Sequence, residues 1–349
     1  MNKLRKLLFP FSILYGIITD VRNALYFANI LKRTRFEKPV ITVGNLSVGG
    51  TGKTPFVEYL LRLLNTKYNT ATLSRGYKRK TSGFIIADAS TTMEEIGDEP
   101  YQYHHKFKST KVAVDTNRVN GINNLLEKHP ELDVIILDDA YQHLAVEAGL
   151  NILLTTYSEL YCKDFMLPAG NLRETRKGAQ RADIIIVTKC PENLTNNSIE
   201  EVKRCLRLKT NQELFFTYIN YSNHFISNID SIPINEVNFN EAILIAGIAK
   251  PQSFFNFLKT EYTKCLSFPD HHNFTKTDIN RILVEANGNK IITTEKDFVR
   301  LKNQLPANQL YYLPIQTSFL KDKEKMDKII LDYVGKSSRN SKIHPGKNR

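Results

Sequence analysis

The chain has 349 residues, of which 42% are hydrophobic and 24% are charged. Such a composition excludes a largely disordered protein, and the length allows two domains that each bury a core. Lysine and arginine exceed aspartate and glutamate by 12. We therefore expect an anionic partner, and nucleic acid, membrane lipid or a phosphorylated substrate would each satisfy this expectation.

The first 38 residues combine an apolar run with basic flanks. The run covers residues 7–18, which is 12 residues, whereas a membrane-spanning helix needs about 20. Asp20 and Arg22 would fall deep in such a span. We predict an amphipathic helix that lies in the membrane surface, its basic flanks attracted to anionic lipid. Two alternatives stay open: a secretory signal, for which no small-residue cleavage site follows, and a helix packed on the core.

A glycine-rich segment comes next, between a strand and a helix. Residues 39–43 are typical of a buried strand, and apolar residues recur at helical spacing through residues 56–64. This order predicts a phosphate-binding loop, in which backbone N–H groups and the helix N-terminus bind a polyphosphate. Lys53 would neutralise the β- and γ-phosphates, and the Thr54 hydroxyl would ligate Mg²⁺. The candidate nucleotide-binding residues are Ser47, Val48, Gly49, Gly50, Thr51, Gly52, Lys53 and Thr54.

The loop departs from the general pattern at one position. The pattern has glycine five residues before Gly52, where this chain has Ser47. Pro55 is compatible with a helix start, because the first turn has no partner for the N–H that proline lacks. A glycine turn with a purely structural role is the alternative to a nucleotide site.

Apolar strands alternate with helical stretches through the first two hundred residues. Their continuous apolar character indicates strands buried on both faces, which is typical of parallel sheets covered by helices. We predict an α/β fold with a P-loop NTPase-like, mostly parallel sheet and helices on both faces. The predicted strands are Thr70–Leu73, Lys111–Val114, Val134–Leu137, Asn151–Leu154 and Ile184–Val187.

A second, smaller α/β domain is predicted after the first. Residues 214–221 are interpreted as an extended connector, and residues 242–247 and 290–294 as strands of the new domain. The four cysteines show no Cys-x-x-Cys spacing, so we expect reduced core residues in a cytosolic environment. The predicted segments are the interfacial helix in 1–38, the P-loop domain in 39–212, the second domain in 213–335, and a basic, disordered tail in 336–349.

Two acidic residues stand at the end of an apolar strand, an arrangement that often accompanies a phosphate-binding loop. Residues 132–137 are mostly apolar and lead into Asp138 and Asp139, so Asp138 is positioned to bind or orient Mg²⁺. A turn or helix cap is the structural alternative. Gln142 and His143 follow closely enough to reach the same cleft.

Two further segments carry candidate catalytic groups. Asp98 lies in Gly97-Asp98-Glu99-Pro100, where it is either a helix N-cap or a base that takes a proton from a hydroxyl. His271 and His272 follow Asp270 in the second domain. Adjacent histidines on an extended chain point in opposite directions, which disfavours joint metal ligation. We expect one of them to contribute to catalysis.

Together these motifs resemble the tetraacyldisaccharide 4'-kinase family, which phosphorylates a lipid A precursor. In that family Ser or Thr takes the place of Ser47. The resemblance covers about residues 39–301 and is carried by Val43 to Pro55, Leu73-Ser74-Arg75-Gly76-Tyr77, Gly97-Asp98-Glu99-Pro100, Asp138 to His143, Leu167 to Glu174, Ala246 to Pro251, Phe268-Pro269-Asp270-His271 and Thr293-Thr294-Glu295-Lys296-Asp297.

The resemblance implies ATP and Mg²⁺ as cofactors and transfer of the γ-phosphate to the 4'-hydroxyl of a tetraacyldisaccharide 1-phosphate, a membrane-bound glycolipid. Our own hypothesis is that the enzyme works at the cytoplasmic face of the inner membrane, where the N-terminal helix brings it to its acceptor. The resemblance makes Asp98 the catalytic base with His271 as its partner, Lys53 a catalytic group at the nucleotide, and Thr54, Asp138 and Asp139 the metal-binding groups. Candidate substrate residues are Ser74, Arg75, Tyr77, Glu99, Gln142, His143, Arg173 and Glu174.

The chain departs from the family pattern at two places. Ala140-Tyr141 stands where Gly-Phe is usual, and Thr175 stands where Pro is usual. Alanine does not adopt a positive φ as readily as glycine, so this substitution bears on the metal geometry near Asp139.

Two other functions remain as alternatives. The first is a membrane-associated P-loop GTPase or ATPase with a regulatory or metal-delivery role. Val187-Thr188-Lys189-Cys190-Pro191 faintly resembles a guanine-reading motif but lacks its Asn and Asp. The second is nucleic-acid binding, which we disfavour because the positive charge lies largely at the two ends. Oligomeric state has no signal in the sequence.

Overall fold

The computed structural model describes Arg5 and residues 7–343, with side chains up to residue 336. It divides into two compact units. The first contains the chain up to Ile219 and again from Thr317, and the second runs from Asn220 to Gln316.

Strands and helices alternate along much of the described chain. The strands are β1 Thr34–Arg35, β2 Val40–Asn45, β3 Thr70–Ser74, β4 Ile85–Ile86, β5 Lys111–Val114, β6 Val134–Asp138, β7 Val146–Glu147, β8 Leu150–Thr156, β9 Ile184–Thr188, β10 Glu213–Tyr221, β11 His224–Ile226, β12 Ser231–Pro233, β13 Ile243–Ala246, β14 Lys264–Ser267, β15 Ile291–Thr294, β16 Leu310–Leu313 and β17 Ile315–Phe319. The α-helices are α1 Phe9–Phe27, α2 Lys53–Leu64, α3 Met93–Ile96, α4 Asp98–Lys106, α5 Arg118–Lys128, α6 Asn196–Leu206, α7 Gln252–Leu258, α8 Lys276–Ala286, α9 Glu295–Leu301 and α10 Lys323–Ile343, with 3₁₀ turns at Tyr161–Lys163, Arg176–Arg181 and Ile234–Glu236.

A nine-stranded sheet forms the centre of the first unit. Its order is β17-β10-β9-β8-β2-β6-β3-β5-β4. The seven strands from β10 to β5 are parallel, and β4 is antiparallel to β5. A two-stranded pair, β1 and β7, lies apart from it. The α/β, mostly parallel fold predicted from the apolar strands is therefore confirmed.

Both faces of this sheet are covered, as its continuous apolar strands require. Ile136 belongs to a core that includes helix α2, whereas its neighbours Ile135 and Leu137 belong to a core that includes helix α5. Successive side chains of a strand point to opposite faces, so each strand contributes to both layers. The strand β2, which leads into the glycine loop, is buried along its whole length.

The second unit has its own six-stranded sheet, in the order β12-β11-β16-β15-β13-β14. Strands β14, β13, β15 and β16 are parallel, and β11 and β12 are antiparallel additions at one edge. Ile243, Ile282 and Ile291 are fully buried in its core.

The boundaries between the units differ from the predicted ones. Residues 214–221, interpreted as a connector, belong to strand β10, which pairs with β9 in the first sheet. Helix α10, assigned to the second domain, lies in the first unit because Met326, Ile330 and Val334 are fully buried in its core. This helix continues to Ile343 into the segment predicted to be disordered, and residues 344–349 lie outside the described part.

The cysteine prediction is wrong for one pair. Cys162 and Cys205 form a disulfide between the 3₁₀ turn Tyr161–Lys163 and helix α6. The two residues are 43 positions apart and meet only through packing of these elements, so their spacing carried no signal. Cys190 is buried and reduced as predicted, whereas Cys265 is reduced but exposed, so the prediction of a core residue is wrong there as well. The cysteines therefore do not support a cytosolic environment.

Helix α1 packs on the first unit through its polar face. Its buried residues are Ser12, Gly16, Thr19 and Asn23, whose spacing places them on one side of a helix. The Ser12 hydroxyl accepts a bond from the N–H of Ala169 at 2.9 Å. The opposite side exposes large apolar side chains between residues 7 and 27. Among the described residues, no helix is long and apolar enough to cross a membrane.

Candidate functional site

The glycine loop between β2 and α2 is held by one backbone hydrogen bond and one bond from a lysine side chain. Val48 N–H donates to the carbonyl of Asn171 at 2.8 Å, and Lys189 Nζ donates to the carbonyl of Gly50 at 2.7 Å. Gly52 precedes the helix with φ of +83°, a conformation that favours glycine. The loop therefore reaches the N-terminus of α2 in the arrangement that binds polyphosphates.

Lys53 joins the loop to the end of the neighbouring strand. Its Nζ lies 3.4 Å from the Asp139 carboxylate and 3.3 Å from Asn45 Oδ1. Arg173 contacts the same carboxylate at 3.2 Å and donates to Asn45 Oδ1 at 3.2 Å. The pKa of Asp139 is lowered to about 2, since the two cations outweigh the effect of burial. Lys53, Arg173 and Asp139 together carry a net positive charge beside the loop, where phosphate would lie.

Asp138 lies beside the loop because β6 pairs with β2, with Asp138 opposite Val43. One carboxylate oxygen accepts a bond from the Tyr103 hydroxyl at 3.1 Å. The other is buried and has no hydrogen-bond partner among the described residues. Burial, followed by the negative charges of Glu99 and Asp139, raises the pKa of Asp138 to about 7.

These groups fit Mg²⁺ bound together with a nucleotide. The orphaned oxygen of Asp138 is an open ligand position, and the Thr54 hydroxyl lies 3.2 Å from Glu99 in the same region. In the described part of the chain no three His, Cys, Asp or Glu side chains converge on a metal site. Mg²⁺ in nucleotide sites is commonly held by one or two carboxylates together with phosphate oxygens and water. Asp139 is instead paired with Lys53.

The departure at Ala140-Tyr141 is accommodated without strain at the alanine. The residue in the left-handed region is Asp139, with φ of +48°. The Tyr141 hydroxyl donates to the carbonyl of Gly178 at 2.9 Å, and the Arg181 guanidinium lies 4.6 Å from the ring centre. Likewise the Thr175 hydroxyl donates to Asp20 of helix α1 at 2.5 Å. Both substitutions therefore gain polar partners.

Asp98 begins helix α4 and is half-buried. It follows Gly97, whose φ is +90° and where a Cβ would lie 2.9 Å from the carbonyl oxygen of Tyr77. The segment after β3 therefore packs directly against the start of α4. Asp98 is also adjacent to Glu99, which contacts Thr54, so the chain itself brings Asp98 close to the loop.

The remaining predicted substrate residues lie in two places: at and just after the end of β3, and in or in contact with the segment that follows β6. Ser74 is buried, with a hydroxyl that has no partner among the described residues, whereas Arg75 and Tyr77 are exposed. Gln142 donates to the carbonyl of Asn45 at 2.9 Å and to Glu174 at 2.9 Å.

Glu174 itself is 2% exposed, and its carboxylate accepts bonds from Arg181 and from Asn23 of helix α1. The carboxylate of Glu174 therefore binds helix α1 to the first unit.

Arg118 is a group that sequence reasoning missed. It is 1% exposed and donates to the carbonyls of Asp115 and Asp138. Burial lowers its pKa to about 10, and Asp138 and Asp139 oppose that change. Burial and the charges of Arg118 and Arg75 lower the pKa of His143 to about 4. No sequence signal distinguished this arginine from one on a solvated helix face.

In the second unit, His271 lies in a polar cluster. Lys296 Nζ is 2.9 Å from its Nε2, and Arg300 Nη2 is 3.1 Å from its Nδ1. Arg300 is in turn held by the buried Asp297 at 3.0 Å. The backbone at His271 has a φ of +54°, so the prediction of an extended chain is wrong at this residue. His272 bonds to Asp278 at 3.0 Å and packs on a phenylalanine ring, which is a structural role.

Comparison with known proteins decides the family. The family model described as Tetraacyldisaccharide-1-P 4'-kinase matches residues 4–335. The chain belongs to this family. It is 55% identical to the Tetraacyldisaccharide 4'-kinase of Flavobacterium johnsoniae over 334 residues, covering 96% of this chain and 98% of that one. It is 40% identical to the corresponding enzyme of Bacteroides thetaiotaomicron, covering 99% and 97%.

A solved structure agrees. LpxK from Aquifex aeolicus, in complex with ATP, superimposes with a TM-score of 0.76 at 33% identity, covering 95% of this chain and 99% of that one. The family, the fold class and the kinase activity predicted from the sequence are thereby confirmed. The alternative of a regulatory or metal-delivery GTPase is not favoured.

Proposed function

We propose that the Lys53 loop binds the triphosphate of ATP and that Asp98 removes the proton from the 4'-hydroxyl of a tetraacyldisaccharide 1-phosphate as the γ-phosphate is transferred. One observation carries this assignment. The loop, the cation pair Lys53 and Arg173, and the buried Asp138 meet at the ends of two paired parallel strands, which is where nucleotides bind in sheets of this kind.

Different residues of the first unit bind the phosphates, bind Mg²⁺ and orient the cations. Backbone N–H groups of the loop and Lys53 hold the phosphates in line with the acceptor, which removes much of the entropic cost of the reaction. Asp138 and Thr54 would hold Mg²⁺, which neutralises charge on the phosphates when it is bound. Asp139 keeps Lys53 and Arg173 directed at the loop.

Asp98 is proposed as the base because a sugar hydroxyl is a poor nucleophile until it loses its proton. Its neighbour Glu99 accepts a bond from the Thr54 hydroxyl at 3.2 Å, so Asp98 lies on a segment that contacts the end of the loop. The family resemblance adds His271 as its partner.

The Asp98 assignment predicts a separation of kinetic constants. We expect Asp98→Asn to lower kcat by about 10²-fold or more, within the usual contribution of a general base, while the KM for ATP changes less than about threefold. Steady-state kinetics with a detergent-dispersed acceptor measures both constants. Asp88→Asn, an exposed acid of the same unit, serves as the control. A kcat for Asp98→Asn equal to that of the wild type would remove Asp98 from the mechanism.

We further propose that helix α1 attaches the enzyme to the cytoplasmic face of the inner membrane. Phe11, Leu14 and Ile18 are 62%, 57% and 58% exposed, although apolar residues of a helix normally face a core. Each would gain roughly 1 kcal/mol by burying its exposed half in lipid. The polar face of α1 is already occupied by the protein, so its orientation toward lipid is fixed.

Flotation with lipid vesicles tests this attachment. We expect the triple change of Phe11, Leu14 and Ile18 to Ser to leave the protein at the bottom of the gradient, because roughly 3 kcal/mol of apolar transfer energy is lost. Val284→Ser removes an apolar side chain that is 77% exposed in the second unit, and this variant should float like the wild type. Flotation of the triple variant to the same extent as the wild type would contradict the role of α1.

A further inference from the structure

A cavity of about 770 Å³ lies in the first unit, beside the C-terminal half of helix α1, and no residue of the glycine loop lines it. Its walls include four cationic side chains, those of Arg33, Lys177, Arg181 and Lys209, and the carboxylate of Asp20. The phosphoryl-transfer chemistry described above uses none of these five groups. The cavity therefore has charge that the kinase reaction leaves unexplained.

Two of the cations are already neutralised within the protein. Lys177 lies 3.4 Å from Asp20, and Arg181 forms bonds of 2.8 Å with the buried Glu174. Arg33 and Lys209 form no ion pair among the described residues, and the Arg33 guanidinium lies 5.5 Å from the centre of the Phe27 ring. The Nε of Arg33 is buried without a hydrogen-bond partner in the same part of the chain. These two cations give the cavity a net positive charge.

A further titratable side chain of the cavity wall, that of His143, is neutral at neutral pH. His143 lines the cavity, and its pKa is lowered to about 4 by burial and by nearby arginines. At neutral pH it therefore neither adds to nor offsets the charge of Arg33 and Lys209. Both side chains line the cavity, so an anion inside it would be attracted by both charges.

The apolar part of the wall continues the exposed face of α1. Val21 and Phe27 line the cavity, and they are 53% and 51% exposed. Leu144 contributes a further apolar surface. The volume is far larger than a phosphate ion needs. A ligand that fills it must combine an anionic group with apolar chains that leave along α1.

We propose that this cavity binds the head group of a membrane phospholipid with an anionic phosphate, Arg33 and Lys209 pairing with the phosphate and Phe27 packing against the start of the acyl chains. None of the residues that line it belongs to the loop that binds the nucleotide. It rests on the proposed membrane attachment through α1, and it would fix the depth and rotation of the enzyme on the membrane surface.

Binding of a short-chain lipid tests the site without a membrane. We expect the full-length protein to bind one dihexanoyl phosphatidylglycerol, below its micelle concentration, with saturation in a calorimetric titration. Removing two cations that contact an anionic lipid should weaken binding by about thirtyfold, so this is expected of Arg33→Gln/Lys209→Gln. The matched variant Lys32→Gln/Lys108→Gln removes two exposed charges outside the cavity and should bind like the wild type.

A second variant separates this site from membrane attachment. Ala24 lines the cavity from an exposed position on α1, and Ala24→Phe fills space without changing charge. We expect it to lose the short-chain lipid while it still floats with vesicles and phosphorylates a detergent-dispersed acceptor. Loss of flotation or of phosphorylation in the wild type would be a failure of the proposed function, and it would leave the titration with the short-chain lipid as an independent result.

Three results would overturn the proposal. Equal affinity for inorganic phosphate would make the cavity a simple anion site. An equal loss in the Lys32→Gln/Lys108→Gln variant would indicate diffuse surface charge. A KM for the glycolipid acceptor that rises with the loss of short-chain lipid in Arg33→Gln/Lys209→Gln would make the cavity part of the acceptor site.

Discussion

Asp138 allows a prediction whose sign and size follow from its burial. Its pKa is about 7 in the folded protein, compared with an ordinary value of 3.8. The folded protein therefore keeps a proton that the unfolded chain has released above pH 3.8. Protonation of Asp138 therefore adds to the free energy of unfolding at low pH, and this contribution is lost as the pH rises through about 7. At pH 5, two units below the folded pKa, about 3 kcal/mol of it remains.

The substitution Asp138→Asn removes this titration. Without metal and nucleotide, we expect the variant to exceed the wild type in free energy of unfolding at pH 8.5, where the wild type must bury an ionised carboxylate. That advantage should shrink by about 3 kcal/mol at pH 5. Urea denaturation followed by circular dichroism, at both pH values, gives the two differences.

The exposed Asp332 provides a matched control, because Asp332→Asn makes the same chemical change on the surface of helix α10. Its difference from the wild type should be the same at both pH values. A difference between Asp138→Asn and the wild type that changes by less than about 1 kcal/mol would show that burial does not hold the proton on Asp138.

Two further predictions concern the surroundings of the site. Gly97→Ala should lower the free energy of unfolding by about 2 kcal/mol or more, because alanine is strained at a positive φ and its Cβ would clash with a carbonyl; urea denaturation measures the loss, and an unchanged midpoint would contradict it. Arg118→Met should raise the pKa of His143 above about 4, since Arg118 contributes to its low value; NMR titration of the imidazole measures the change, and a constant pKa would exclude this coupling.

Strands buried on both faces were predictable because each is a continuous apolar run. The glycine loop could be placed for the same reason, since it begins where such a strand ends. Asp138 followed from its position at the end of the next apolar strand, which pairs with the first. In each case a local pattern and one rule about parallel sheets were sufficient.

Other features depend on contacts between distant segments. Arg118 carries no local mark of burial, and its role depends on Asp138, which is 20 residues away. The disulfide between Cys162 and Cys205 requires the packing of α6 against a 3₁₀ turn. The return of α10 to the first unit follows from three buried residues at helical spacing, a pattern that fits either unit equally well. Sequence periodicity shows that a face is buried, but it does not show which core receives that face.

The most direct test of the central claim is transfer of the terminal phosphate of ATP to the glycolipid. The purified protein would be incubated with γ-labelled ATP, Mg²⁺ and a tetraacyldisaccharide 1-phosphate, beside the Lys53→Ala variant. We predict that the wild type forms a doubly phosphorylated product carrying the label at the 4' position and that Lys53→Ala forms at least about 10²-fold less, as expected for loss of a group that stabilises the transferring phosphate. Equal transfer by the two proteins, or no labelled glycolipid from the wild type, would contradict the claim.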